Sequence, residues 1–186
     1  ATNNPEAYKL YLLGNSLAAR RKSKDVLRAV ENYERAIALD PNYALAYTGL
    51  GNAHALLAIY GGSPGVEELP KAYTAVSKAI EIDPTLADAH NVLGLILLFM
   101  NHDFAGHERE NRRPLELNPN PANAYRQTGL RLAFLGRFDE ANTSFQRALE
   151  LEPLAVATNI NIAWTLFYTG RIAESDAQIK VTQEID

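Results

Sequence analysis

The chain has no cysteine, one methionine and one tryptophan among its 186 residues. The lack of thiols excludes disulfides, cysteine-ligated iron–sulfur clusters and thiol catalysis. Positive charge is scarce too: the formal net charge is -4, and the one basic run is Arg20-Arg21-Lys22-Ser23-Lys24, followed by Asp25. Because nucleic-acid binders usually carry a basic patch or stripe, we interpret this run as a solvated loop and expect no direct contact with nucleic acid.

Long apolar runs are also lacking. The strongest, Val92 to Met100, is far shorter than the roughly 20 residues of a membrane-spanning helix. The N-terminus does not resemble a signal peptide, so we expect no membrane span and a cytoplasmic location. The chain begins at Ala1 rather than at a methionine, which leads us to expect a segment of a longer protein.

Signatures of catalysis are missing as well. The chain contains no G-x-S-x-G and no H-E-x-x-H motif, and the glycine-rich stretch at 61–65 lacks the lysine of a phosphate-binding loop. Its carboxylates are spread along the chain instead of being paired. We therefore predict a protein that is not an enzyme and that uses no cofactor.

The sequence does contain a repeat, and its prolines mark the period. Asp40-Pro41, Asp83-Pro84, Asn118-Pro119 and Glu152-Pro153 each follow an apolar helical run, at spacings of 43, 35 and 34 residues. Upstream of each proline, three residues spaced four and then three apart share one helical face. In most copies they are small, large and small, which lets two helices approach closely. The sets are Ala29/Tyr33/Ala36, Ala72/Val76/Ala79, His107/Asn111/Pro114, Ala141/Phe145/Ala148 and Ser175/Ile179/Thr182.

An earlier helix in each copy carries a second marker, and short turns join the two helices. The markers are Leu13-Gly14, Leu50-Gly51, Leu93-Gly94, Thr128-Gly129 and Ile162-Ala163. In turns such as Leu135-Gly136-Arg137-Phe138-Asp139, the glycine suits a left-handed helix end and the acid favours the next helix start.

A helix–turn–helix of about 34 residues with Leu-Gly early, Ala-x3-Phe-x2-Ala later and proline last resembles the tetratricopeptide repeat. The resemblance implies an all-α, right-handed superhelical solenoid of about five repeats, with about ten antiparallel helices in a single array over 1–186. The expected repeats cover residues 7–43, 44–86, 87–121, 122–155 and 156–186. The stretches NPEAYKLYLLG and DPNYALAYTGLGNAHALLAIYGG also resemble tetratricopeptide arrays of bacterial signalling proteins, which favours a sensory or scaffolding segment.

Two copies are longer than the repeat requires. The first has three extra residues around Arg20 to Asp25, and the second has about nine between Ile59 and Pro70. The second insertion has turn-forming residues throughout. We interpret both as tolerated surface loops.

The third copy departs from the repeat at His107, Asn111 and Pro114. We interpret these residues as an eroded packing face, and because proline lacks an N–H we expect the helix to be kinked or shortened near Pro114. The alternative is a metal site at His102, Asp103, His107 and Glu108, but the spacing of the histidines is a poor match to known zinc motifs. His54 and His90 are predicted to be hydrogen-bonded core histidines.

The family resemblance also implies where a ligand would bind. In tetratricopeptide proteins the first helix of each copy lines a concave groove, at its second, fifth, ninth, twelfth and thirteenth positions. Asparagines at these positions would hold the backbone of an extended peptide, and apolar and aromatic residues would supply an anchor. The candidate groove residues are Tyr11, Asn15, Thr48, Asn52, Asn91, Leu95, Leu98, Asn123, Arg126, Leu130, Ile160, Trp164 and Phe167.

We therefore predict a non-catalytic scaffold that binds a protein or peptide ligand. The alternative is assembly of a homo-oligomer through the last repeat, where Ile172, Ile179 and Ile185 lie near one helical face without a polar capping helix. A metal-dependent enzyme is the third hypothesis. The lysine-rich clamp of chaperone-binding relatives is not matched, because Tyr11, Gly49 and Asp88 occupy its positions.

Overall fold

The computed structural model describes residues 2–59, 63–117 and 120–185, and over these ranges it is all α-helical. The predicted all-α repeat fold is confirmed: the described residues form ten helices, in five consecutive pairs. Their bounds are α1 Pro5–Ala19, α2 Ser23–Leu39, α3 Ala44–Ile59, α4 Gly65–Ile82, α5 Ala87–Asn101, α6 Phe104–Leu117, α7 Pro121–Phe134, α8 Phe138–Leu151, α9 Val156–Tyr168 and α10 Ile172–Ile185.

The helices fall into two compact units, with α1 to α6 in the first and α7 to α10 in the second. In both units the odd-numbered, first helix of each pair packs most extensively on the second helix that follows it. Within the first unit, α1 also contacts α3, and α3 contacts α5. Within the first unit, the first helices therefore lie side by side, as expected for a helical repeat.

Close approach of the paired helices depends on the glycine that the sequence places in the first helix of most copies. A Cβ added to Gly14 would lie 2.6 Å from the Tyr33 ring, and one added to Gly129 would lie 2.5 Å from the Phe145 ring. Tyr33 and Phe145 are fully buried between small residues of their own helices. The predicted small–large–small face is confirmed in these copies, since a glycine opposite the ring makes room for it.

The fifth copy departs from this face. Ser175 is buried and its hydroxyl donates to the Ala163 carbonyl at 2.8 Å, but Ile179 is exposed. Gln178, one position earlier, donates instead to the Asn159 side chain of α9. The contact between α9 and α10 thus contains a polar pair, and the prediction that Ile179 fills the packing position was wrong.

Helix ends follow the predicted turn chemistry in the second unit. Gly136 and Gly170, which follow α7 and α9, have φ of 73° and 77°. Glycine adopts this left-handed conformation without the steric cost that a Cβ imposes. In the first unit, Arg21 and His102 take the same conformation, with φ of 51° and 52°.

Both predicted loops are shorter than the sequence indicated. Helix α2 begins at Ser23, and α4 begins at Gly65, so Pro70 lies inside a helix and not in a loop. Pro70 is the sixth residue of α4, where proline forgoes one backbone hydrogen bond and its ring crowds the carbonyl of Val66, so the helix continues past it at a cost in stability. Glu67 and Glu68 lie in the first turn of α4, where acidic residues favour a helix start.

Helix α6 is not shortened at Pro114. It continues three residues further, to Leu117, and at 14 residues it equals α8 and α10 in length. The side chains of residues 113–117 lie outside the described part of the chain. Among the described residues, no helix is long and apolar enough to cross a membrane.

Candidate functional site

The candidate site in the first unit is the surface formed by α1, α3 and α5, which we call the first-helix face. Asn15, Asn52 and Asn91 lie one on each of these helices, and all three are partly exposed. Tyr11 and Leu95 are partly exposed as well. Three consecutive first helices therefore each present a side-chain amide, a group that both donates and accepts hydrogen bonds.

Tyr11 and Asn15 are held in place by buried neighbours. The Tyr11 ring packs against Tyr43, with ring centroids 5.2 Å apart, and against Tyr33 at 6.2 Å. The Tyr33 hydroxyl donates to Asn15 Oδ1 at 2.8 Å. Burial, and to a lesser extent the nearby Tyr11, raises the pKa of the Tyr33 phenol well above its usual range. The phenol is therefore a neutral donor that fixes the orientation of Asn15.

Three predicted groove residues are buried, and the prediction was wrong for them. Thr48 is buried and its hydroxyl donates to the Ala44 carbonyl of its own helix at 3.1 Å. Leu98 and Leu130 are buried apolar side chains. All three residues occupy positions that line the groove in the repeat family. Thr48 instead bonds to its own helix, and the two leucines gain more free energy from packing than they would from exposure.

Aromatic exposure characterises the first helices of the second unit. Phe167 is 58% exposed and Tyr168 is 71% exposed. Their rings meet edge to face, with centroids 5.8 Å apart and an interplanar angle of 81°. Trp164 and Ile160, about one and two turns earlier on α9, are partly exposed. This end of α9 therefore presents two neighbouring aromatic rings on the surface.

Helix α7 contributes a polar pair to the same unit. Arg126 Nη2 donates to Asn123 Oδ1 at 2.9 Å. Asn120 caps the helix by accepting from the Asn123 backbone amide at 3.0 Å. Both predicted residues, Asn123 and Arg126, are partly exposed.

His107 and Asn111 lie in the packing interface between α5 and α6. Both are buried, and His107 Nδ1 lies 3.1 Å from the Gly94 carbonyl. Asn111 Nδ2 donates to the His107 carbonyl at 2.8 Å. These contacts agree with an eroded packing face, in which polar side chains occupy positions that other copies fill with apolar ones.

The structure gives no support to a metal site at the four predicted ligands. Asp103 Oδ1 accepts from the Gly106 amide at 2.8 Å, and Glu108 is paired with Arg112 at 3.6 Å. His102 is exposed. Among the described residues there is no group of three or more His, Cys, Asp or Glu side chains that could hold a metal ion.

The two remaining histidines are hydrogen-bonded, as predicted, and each has a carboxylate partner. His54 is buried with Nδ1 2.5 Å from Glu68 Oε2. His90, partly buried, has Nδ1 2.9 Å from Glu110 Oε2 and Nε2 3.0 Å from the Pro84 carbonyl. Glu68 was not predicted as a site residue, because the turn-forming residues before it indicated a loop. Its place beside Glu67 after Pro64-Gly65 is a typical signal of a helix start.

Comparison with known proteins agrees with this geometry. The sequence profile of the TPR repeat family matches residues 19–57, from the end of α1 through most of α3. None of the curated proteins matches the chain.

Among solved structures, the chain is similar to TTC0263, a thermophilic TPR protein of Thermus thermophilus, with 23% identity and a TM-score of 0.69 over 89% of this chain and 84% of that one. It is also similar to PilW, a widely conserved type IV pilus biogenesis factor, with 21% identity and a TM-score of 0.65 over 98% and 78%. A third similar structure is YrrB, a TPR protein with an unusual peptide-binding site, with 24% identity and a TM-score of 0.53 over 99% and 88%.

These structures share the fold of this chain, and the sequence match within its first two helix pairs is to the same repeat. The chain has the helical-repeat fold of these tetratricopeptide repeat proteins, and its residues 19–57 match the TPR repeat family.

Proposed function

We propose that the protein is a non-catalytic scaffold that binds a protein or peptide through its first helices. One observation carries the proposal: Phe167 and Tyr168 form an edge-to-face pair that is more than half exposed at the end of α9. Aromatic side chains in a soluble protein are typical binding anchors when they lie together on the surface. YrrB, which has the same fold, is a TPR protein with a peptide-binding site.

The amides of the first unit support the same function. Asn52 is a partly exposed amide on α3, and an amide there is suited to the backbone of an extended ligand, since it donates and accepts. Asn91 Oδ1 is buried and has no hydrogen-bond partner among the described residues. A ligand N–H that reached this oxygen would offset the cost of an unpaired acceptor.

The experiment compares proteins captured from a lysate of the source cell by three forms of the chain, quantified by mass spectrometry. A partner retained by wild type and by Leu154→Ala, but lost by Phe167→Ala/Tyr168→Ala, supports binding through the first helices. Leu154 is the matched control because it is 73% exposed and apolar but lies between α8 and α9. Equal capture by all three forms contradicts the proposal.

Self-assembly through α10 is the second candidate. Ile172 and Ile179, seven residues apart on α10, are both exposed, and clustered exposed apolar side chains often mark an interface. Sedimentation of the wild type at increasing concentration tests it. A rise in mass that Ile172→Lys/Ile179→Lys abolishes favours assembly, and a constant monomer mass rules it out.

A further inference from the structure

A second surface of the first unit lies between helices α2 and α4. Side chains of α2, α3 and α4 enclose an open groove with a volume of about 860 Å³. Its walls come from the second helices α2 and α4, and its floor comes from α3. We call it the outer groove, and none of the predicted ligand-binding residues lines it.

Apolar side chains form most of the outer groove. Leu27 and Val30 line the α2 wall, and Leu50 and Leu57 lie on the floor. Leu27 is 45% exposed, and Val30 and Leu50 are partly exposed. Covering such surface gains about 25 cal/mol for each Å² of apolar area removed from water, so an apolar ligand would be stabilised here.

One end of the groove contains a buried carboxylate. Glu68 is only 4% exposed, with Oε2 2.5 Å from His54 Nδ1 and Oε1 2.9 Å from Lys71 Nζ. Burial tends to raise the pKa of Glu68, but the hydrogen bonds from Lys71 and His54 outweigh it and the pKa is lowered from its usual value. Glu68 is therefore an anion at neutral pH.

The cation that neutralises Glu68 is exchangeable. The Lys71 side chain is 54% exposed, so the cation of a ligand can take the place of its ammonium without repacking of the core. The hydrogen bond and charge of Glu68 raise the pKa of Lys71, and Glu67 and then Glu34 on the α2 wall add smaller effects. Lys78 is already paired with Glu81 at 2.8 Å. Lys71 is thus bonded to Glu68 alone, and an incoming guanidinium would replace the ammonium there with a two-pronged contact.

We propose that the outer groove is a docking surface for an amphipathic helical segment of a partner protein, with an apolar stripe along the groove and an arginine or lysine directed at Glu68. The α4 wall runs from Glu68 to Lys78, about 15 Å at the helical rise of 1.5 Å per residue. That length accommodates roughly three turns, enough for anchors at i, i+4 and i+7 of a helix lying in a groove. The acidic character of the groove end selects the basic residue.

The test is selection of helical peptides from a displayed random library on the full-length chain, followed by affinity measurement with synthetic copies of the enriched sequences. We expect an enriched apolar stripe with a basic residue beside it. Leu27→Arg, which fills and charges the α2 wall, should weaken binding at least tenfold. Leu39→Arg is the matched control, because Leu39 lies on the same helix with the same 45% exposure but outside the groove.

Two further variants test the charge. Glu68→Gln should weaken binding about tenfold, and thermal melting will show whether it remains folded. Lys71→Ala truncates an exposed side chain and leaves the packing of the core unchanged. It should tighten binding, because the cation that competes with the ligand is gone. Phe167→Ala/Tyr168→Ala should leave binding unchanged, since those residues belong to the second unit and not to the outer groove.

Several outcomes would overturn the proposal. The first is a library that yields no peptide sensitive to Leu27→Arg. The second is a set of enriched peptides that lack a basic residue or bind Lys71→Ala more weakly. The third is self-association of the wild type that Leu27→Arg abolishes, because the groove would then hold a second copy of the chain.

Discussion

Asn111 Nδ2 lies 2.7 Å from the point that a Cβ on Gly94 would occupy. Tyr33 bears the same relationship to Gly14, and Phe145 to Gly129. Asn111 therefore takes the packing position of a large apolar residue, and it brings a polar group into an interior contact. Its Oδ1 atom is buried and has no hydrogen-bond partner among the described residues.

Replacing Asn111 with leucine should stabilise the first unit. Leucine branches at the same atom as asparagine, so it matches the shape while removing the unpaired acceptor. Leucine gives up the amide hydrogen bond to the His107 carbonyl, but it also removes the buried Oδ1 acceptor that has no partner among the described residues. We expect the free energy of unfolding to rise by about 1 kcal/mol, measured by urea denaturation.

The reciprocal change in the fourth copy provides the control. Phe145→Asn places an amide where a buried ring packs against Gly129, and we expect a loss of roughly 3 kcal/mol or more. If Asn111→Leu lowers the free energy of unfolding, the polar contacts of Asn111 stabilise the interface and the third copy is not eroded.

Gly129 is required by the Phe145 ring. Because a Cβ at residue 129 would lie 2.5 to 2.9 Å from three ring atoms, Gly129→Ala must displace the ring or separate α7 from α8. We expect a loss of about 1–3 kcal/mol. Gly65→Ala is the control, since its Cβ would meet nothing nearer than 3.8 Å. Similar melting temperatures for the two variants would show that the interface adapts.

Sequence periodicity predicted the helix pairs because each helix must bury one face against its partner. Small and large residues therefore recur in the sequence at helical spacing. For this reason the sequence predicted that Gly14 faces Tyr33 and that Gly129 faces Phe145. His107 and Asn111 were assigned to the packing face by position alone, and their burial agrees.

Features that depend on the packing of neighbouring helices could not be predicted from the sequence. Thr48, Leu98 and Leu130 occupy groove positions of the repeat, yet their burial depends on what packs beside them. Glu68 was missed because turn-forming residues precede it, whereas tertiary contacts with His54 and α3 favour the helix. The period of the apolar residues indicates which face of a helix is buried. Which side chains remain accessible depends on how that helix packs against its neighbours.

The pairing of Glu68 should make stability depend on acid pH. The folded-state pKa of this carboxyl is lowered, so its contribution is full above the unfolded value of about 4.3 and is lost as pH falls through the folded value. Glu68→Gln should therefore lower the free energy of unfolding by about 2 kcal/mol at neutral pH. The difference from wild type should vanish in acid, as chemical denaturation at a series of pH values will show.

An exposed ion pair serves as the reference for this measurement. The Glu140 carboxylate is paired with Arg137 on the surface, and that hydrogen bond also lowers its pKa. Glu140→Gln should change stability far less, because water screens an exposed pair. Equal effects of the two substitutions would show that burial of Glu68 contributes nothing beyond a surface contact.

The buried tyrosines should make stability decline at alkaline pH. Burial, with a smaller effect of Tyr11 and then of Tyr8 and Asp40, raises the pKa of Tyr43 to about 12, and the pKa of Tyr33 is raised as well. Because the folded state retains the phenol proton, stability is full below the unfolded pKa of about 10 and falls as pH rises towards the folded values. Phenolate absorbance should show a late phase that coincides with loss of helical circular dichroism. Tyr33→Phe should remove part of that phase and flatten the decline in stability above a pH of about 10, even though it loses the hydrogen bond to Asn15. If all tyrosines titrate together while the helices remain intact, the Tyr11, Tyr33 and Tyr43 cluster is open to solvent.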